Sequence, residues 1–160
     1  MASELHVDAI KHSGGTSAMT IDSTGRILTP SRPAFMARRT SQNNAGIVIF
    51  DTAMVNQGGH YDTSNGRFTA PIAGVYVFSV AILSDNDGTD AYFGTELFIN
   101  GQSYAKVQNR TELDNDFTGS FTTVASLSVG DYVQVNNGVP TYGTTSPQNN
   151  FSHFSGFLLG

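Results

Sequence analysis

Of the thirteen aspartates and glutamates in this 160-residue sequence, six fall in two short runs. Asp85-Asn86-Asp87-Gly88-Thr89-Asp90 sets hard oxygen ligands alternately around a glycine turn, the donor chemistry that suits Ca²⁺. It is not an EF-hand, because the glycine is misplaced and no bidentate glutamate follows at the twelfth position. Glu112, Asp114 and Asp116 form the second run. Asp85, Asp87, Asp90, Glu112, Asp114 and Asp116 are therefore the candidate calcium ligands; the bland alternative is two solvated turns. Nothing else in the sequence asks for a cofactor. Cysteine is absent, which removes thiol catalysis, thiolate metal sites and disulfides together. His6, His12, His60 and His153 are scattered, with no zinc-protease pairing, and no serine elbow or phosphate-cradling loop occurs. Thirteen acids leave a two-carboxylate glycosidase formally open, but the sequence reads as a non-enzyme.

Charge narrows the partners. The formal net charge is −5, and the nearest approach to a basic stripe is Arg32, Arg38 and Arg39, so nucleic acid is not expected. No apolar run is long enough to span a bilayer, so no membrane insertion is expected. The opening residues lack the basic-then-apolar pattern of a signal peptide, which predicts synthesis in the cytosol and exit by another route, such as inside an assembled particle. Charged residues make up only 13%, against roughly 25% for ordinary soluble domains. A surface so poor in charge is expected to be covered by partner subunits.

The elements that position these residues are strands. Residues 1–32 form a polar, Gly- and Ser-punctuated arm with three short apolar alternations, Leu5/Val7, Met19/Ile21 and Ile27/Leu28. A turn is expected at Asp22-Ser23-Thr24-Gly25. The arm is too short to bury itself. Leu5, Val7, Ile10, Met19, Ile21 and Ile27 are the candidate docking residues; a disordered tail is the alternative. From residue 33 onward the pattern is strand, turn, strand, at 34–39, 46–50, 61–68, 74–83, 92–99, 103–107, 117–127, 132–135 and 151–159. Tight two-residue turns are expected at Asn65-Gly66 and Asn100-Gly101, and 139–150 reads as a long polar loop. About ten strands with no crossover helix predict an all-β antiparallel sandwich. In the longest strand, Tyr76 and Phe78 share one face while Val75 and Val77 make the other apolar too. That second face is expected against another subunit.

The residues from Phe50 to Phe78 resemble the signature of the C1q family: Phe50, Asn56, Tyr61, Phe68, Gly74, Tyr76 and Phe78 at the signature's spacing, with Val80 where it ends on an aromatic. Residues 127–135 and 152–159 look like the family's last strands. The resemblance covers 33–160 and implies a ten-stranded jelly-roll sandwich of the C1q/TNF kind, assembled as a homotrimer. Phe50, Tyr61, Phe68, Tyr76, Phe78, Phe154 and Phe157 are expected to fill the core and trimer contacts. Several family members bind calcium near the threefold axis, about where the second acidic run falls.

Residues 5–8 and 20–27 resemble the lead-in of tailed-phage fibre proteins. That likeness implies a virion structural protein made in a host cytoplasm: a trimeric fibre knob for host attachment, its arm forming a stalk or docking another virion protein. A capsid decoration, cement or head-fibre protein is the close alternative, and a soluble calcium-dependent glycan-binding C1q-like protein the next. Tyr142, Asn149 and Asn150 are the candidate surface for a host glycan or protein.

Overall fold

Eleven consecutive residues, Gly74–Ser84, alternate between buried and less buried positions and anchor the architecture. Period-two alternation with β-branched and aromatic side chains is what a pleated strand against a core requires. The computed structural model describes residues 5–41, 45–84, 91–111, 117–138 and 151–159. It divides into two compact units, Met1–Arg32 and Pro33–Gly160. Among the described residues there is no helix, and there are fourteen strands.

The first unit contains β1 (Ala9–Lys11), β2 (Ser17–Ile21) and β3 (Ile27–Leu28), an antiparallel sheet in the order β1-β2-β3. The first strand lies later than the expected Leu5/Val7 alternation. At the β2–β3 turn, the Asp22 carboxylate accepts the N–H groups of Thr24 and Arg26 at 2.9 and 3.0 Å, and Gly25 takes φ 81°. Those bonds, the Thr24 hydroxyl and the Arg26 guanidinium hold Asp22 down at about 2.

The second unit contains β4 (Ala34–Arg38), β5 (Gly46–Val48), β6 (Thr52–Gln57), β7 (Tyr61–Asp62), β8 (Arg67–Thr69), β9 (Gly74–Ser84), β10 (Ala91–Ile99), β11 (Gln102–Thr111), β12 (Phe117–Leu127), β13 (Tyr132–Asn137) and β14 (His153–Leu158). One sheet has five strands in the order β12-β9-β14-β4-β6; the other has six, β11-β10-β13-β8-β7 with β5 on β13. Ten strands are thus corrected to eleven in this unit and three in the arm. The extra ones are short pieces, such as Thr52–Gln57, that composition had merged into loops.

The core lies between these two sheets. Phe50, Phe68, Tyr76, Phe78 and Phe154 are fully buried and Tyr61 nearly so, each contributing roughly 2–3 kcal/mol by removal from water. Phe35 sits at their centre, with its ring 4.8 Å from Tyr61, 4.9 Å from Phe68 and 4.8 Å from Phe154. Gly156 permits this packing, because a Cβ there would stand 2.5 Å from Phe78 and 2.8 Å from Phe35. Phe157 leaves the core group: three residues from Phe154, it falls on the opposite face of β14 and is 46% exposed. The signature asparagine has a backbone task. Asn56 donates to the Tyr61 carbonyl and accepts the Tyr61 N–H, bracketing the β6–β7 turn, while the Tyr61 hydroxyl donates to the Phe50 carbonyl. Burial pushes the Tyr61 hydroxyl well above its ordinary pKa.

The two Asn-Gly turns differ. Ile99 pairs with Gln102, and Asn100 and Gly101 take φ 52° and 77°, the two-residue turn expected. Asp62 pairs with Arg67, so Asn65-Gly66 belongs to a four-residue loop instead. There the Asp62 carboxylate captures Ser64 and Asn65, and Gly66 alone takes positive φ.

Candidate functional site

Two regions of the second unit carry residues that a fold alone does not demand. The first is the outward face of the five-stranded sheet. Tyr76, Phe78, Val80 and Ile82 point into the core, so Val75, Val77, Ser79, Ala81 and Leu83 point out. Register extends this face across the sheet. Val124 pairs with Val77, Val77 with Phe157, and Phe157 with Ala34. The next row is Thr122, Ser79, Ser155, Met36 and Val55; the one after is Ser120, Ala81, His153, Arg38 and Thr52. Arg38 is the one side chain with a fixed charge across these rows. Val75, Val124, Phe157 and Val55 are 40%, 53%, 46% and 49% exposed. Phe157, expected in core or trimer contacts, therefore stands in this apolar surface.

The second region is one end of the sandwich. Ser84 pairs with Phe117, and Ala91 with Thr111, so segments 85–90 and 112–116 leave the sheets from neighbouring strand ends. Segment 139–150 follows β13, whose last residue, Asn137, pairs with Thr95 of β10. Three buried polar side chains fasten this end. Thr95 donates its hydroxyl to the Asn137 amide oxygen at 2.7 Å, and the Asn137 amide donates to the Ser84 hydroxyl at 3.0 Å. Buried polar groups survive only when paired in this way. The candidate residues Asp85, Asp87, Asp90, Glu112, Asp114, Asp116, Tyr142, Asn149 and Asn150 lie outside the described residues. Among the described residues no three metal-ligating side chains come together.

Near segment 42–44 the buried Arg39 donates to the Ile49 carbonyl. Burial holds its guanidinium below its ordinary pKa, with Asp51 opposing. Burial also pushes Asp51 upward, but the hydroxyls of Thr40, Ser41 and Thr52 and the Thr40 N–H together hold it below the usual carboxylate range. This node braces the β4 and β5 ends.

The docking residues divide as well. Ile10, Met19, Ile21 and Ile27 belong to the arm sheet, whereas Leu5 and Val7 precede it. Sequence reasoning missed Phe35, whose alternation with Ala37 was the available signal. It also missed Ser84, Thr95 and Asn137, for which no local signal exists.

The family model described as the C1q domain matches residues 34–159. Complement C1q tumor necrosis factor-related protein 5 of Homo sapiens is 34% identical over 143 residues, covering 81% of this chain and 54% of that protein. Complement C1q tumor necrosis factor-related protein 3 of Mus musculus is 31% identical over 128 residues, covering 79% of this chain and 49% of its own length. The chain thus spans about half the length of these curated relatives. Among solved structures, the globular domain of zebrafish complement 1qA protein superposes with a TM-score of 0.63 at 20% identity, covering 80% of this chain and 98% of that one. Murine APRIL superposes at 0.61 with 12% identity, covering 80% and 99%. Both show the shared jelly-roll fold.

These animal relatives correct the phage reading. The tailed-phage fibre knob, its decoration, cement and head-fibre variants, the virion docking partner and the virion localisation are all overturned by them. That reading rested on 5–8 and 20–27, short β-segments around a Gly turn, and any small antiparallel sheet supplies such segments.

Proposed function

Because the chain belongs to the C1q domain family, we propose that it is a non-enzymatic, extracellular recognition module that self-associates through the five-stranded sheet and binds a glycan at the loop end. The observation that carries the proposal is the outward face around Val77, Val124 and Phe157, an apolar row continued by Met36 and Val55 among uncharged serines and threonines, with a fixed charge only at Arg38. Contiguous surfaces of this kind on soluble domains are interaction sites, and depletion of charge is the compositional mark of an interface centre. A homotrimer is the assembly proposed, since three copies around an axis bury such a face on every subunit. Light scattering at micromolar concentration should give three chains per particle. A monomer there would sink the proposal.

Recognition is assigned to the other region. Segments 85–90 and 112–116 leave from paired strand ends, so Asp85, Asp87, Asp90, Glu112, Asp114 and Asp116 are proposed to hold Ca²⁺ at that end. Tyr142, Asn149 and Asn150, in the segment that follows β13, are proposed to contribute to the glycan surface. A native-state ligand at about a hundred times its Kd stabilises by about 2.7 kcal/mol. The melting temperature should therefore rise with calcium and fall back with chelator. An unchanged midpoint removes calcium while leaving the assembly claim intact.

A further inference from the structure

Four large apolar side chains of the arm stand on one side of its sheet. Ile10 pairs with Met19 and Ile21 with Ile27, while Met19 and Ile21 are two residues apart on one strand. Ile10, Ile21 and Ile27 are 49%, 37% and 64% exposed. Among the described residues between 5 and 32, none is buried. A three-stranded sheet with one apolar face is at the lower limit for independent stability, and covering that face adds to it.

We propose that this face packs against the same face of sister chains, making residues 9–28 a second self-association element. The inference rests on the self-association proposed above for the second unit. Size argues for a sister chain over a free partner. Four side chains fall well short of the roughly 800 Å² per partner that a stable encounter between separate proteins buries. The tether supplies what the area lacks. Residues 29–33 alone separate Leu28 from Ala34, the first residue of β4 in the five-stranded sheet. Five residues span at most about 18 Å. Where copies meet through that sheet, their arms are held at an effective concentration on the order of millimolar. A face too small to recruit a free protein suffices at that concentration. Charge permits like to meet like. Asp22 and Arg26 neutralise one another at 2.7 Å, and Lys11 lies past a register irregularity. Asp8, whose carbonyl accepts the Ile21 N–H, is the acid beside the face.

The chain contains no cysteine, so introduced thiols report cleanly. In the full chain, Ile27→Cys and Ile10→Cys should each give a covalent dimer on mild oxidation. Thr20→Cys, on the opposite side of the same sheet, should not. Light scattering on the same samples reads the assembly. Assembled chains without a bond at residues 27 or 10, or with equal bonding at residue 20, overturn the proposal and leave the second unit's association standing. Unassembled chains remove both. Ile21→Asp should raise the concentration for half-dissociation about tenfold, about 1.4 kcal/mol; an unmoved midpoint overturns the proposal as well.

Discussion

The two sheets of the second unit share one core yet turn opposite kinds of surface outward. On the six-stranded sheet, Arg67 lies 3.7 Å from the centre of the Tyr132 ring and reaches the Gln134 amide oxygen at 3.5 Å. Gln134 in turn donates to the Asn65 carbonyl at 2.9 Å, and Glu96 faces Lys106 across the β10–β11 pair. This surface pairs much of its polarity within itself, although the buried Arg67 Nε has no hydrogen-bond partner among the described residues. The five-stranded sheet offers valines, serines, a phenylalanine and one arginine, with the Thr122 hydroxyl donating to Ser79 as its main internal polar contact. The contrast teaches that low overall charge is not spread evenly. It is concentrated on the face that another copy is proposed to cover.

Variants can break or sharpen this contrast. The largest effect belongs to the shared core: Phe154→Ala should cost about 3–5 kcal/mol and be seen as a lower denaturant midpoint, with both faces lost together. Val77→Asp should cost nearly as much, about 3 kcal/mol per subunit by burying an unpaired charge at the interface. It should do so without unfolding the chain, so sedimentation would report monomers of unchanged circular dichroism. If Val77→Asp leaves the assembly intact, the five-stranded face is not the interface. Arg67→Ala is the matching change on the other sheet; it should lower stability by about 1 kcal/mol and leave the sedimentation coefficient alone.

Acid gives the smallest and most local effect. Asp62 is held below its ordinary value of 3.8 by the Ser64 hydroxyl and N–H, and Asp131 by the Asn100 amide and Ser128 N–H. A depressed folded-state value means stabilisation fully present above 3.8 and lost as pH falls through the folded value. Both groups lie at turns of the six-stranded sheet, while the face formed by β9, β12 and β14 carries no carboxylate in its rows. As pH falls below 3.8, amide exchange should therefore quicken around Asp62 and Asp131, and around Asp51 at the β4 and β6 ends, before it does along β9, β12 and β14. Asp62→Asn should remove its share of that response.

Much of the fold was legible because the spacing of Phe50, Tyr61, Phe68, Tyr76 and Phe78 encodes which side chains meet in the core, and the strand period does the rest. Only the core half of the expectation for Phe157 fails: aromatic identity was weighed over its odd spacing from Phe154, which sets it on the outward face. The Asn65-Gly66 turn was misjudged because Asp62 captures the loop before a tight turn can close. For the functional regions the outcome split. The apolar reverse of β9 was readable from Val75 and Val77 alone, but its extension through Val124, Phe157 and Met36 depends on long-range register. Neither the Ser84–Thr95–Asn137 knot nor the shared apolar side of the arm sheet has any local mark. The phage reading failed because it leaned on the shortest and least specific segments.

The position of β14 governs when any of this can exist. It lies between β9 and β4, pairing with both, although it is the last of the described strands and follows β9 by some seventy residues. Until residue 158 has left the ribosome, β9 and β4 have a gap between them, Phe154 is missing from the aromatic cluster, and the outward face is split in two. Such far-separated pairings also close slowly, on the millisecond-to-second scale of sheets built from distant segments. If copies meet through this face as proposed, nascent chains on one message are kept from joining through a half-built surface. The proposed assembly becomes a step that waits for β14.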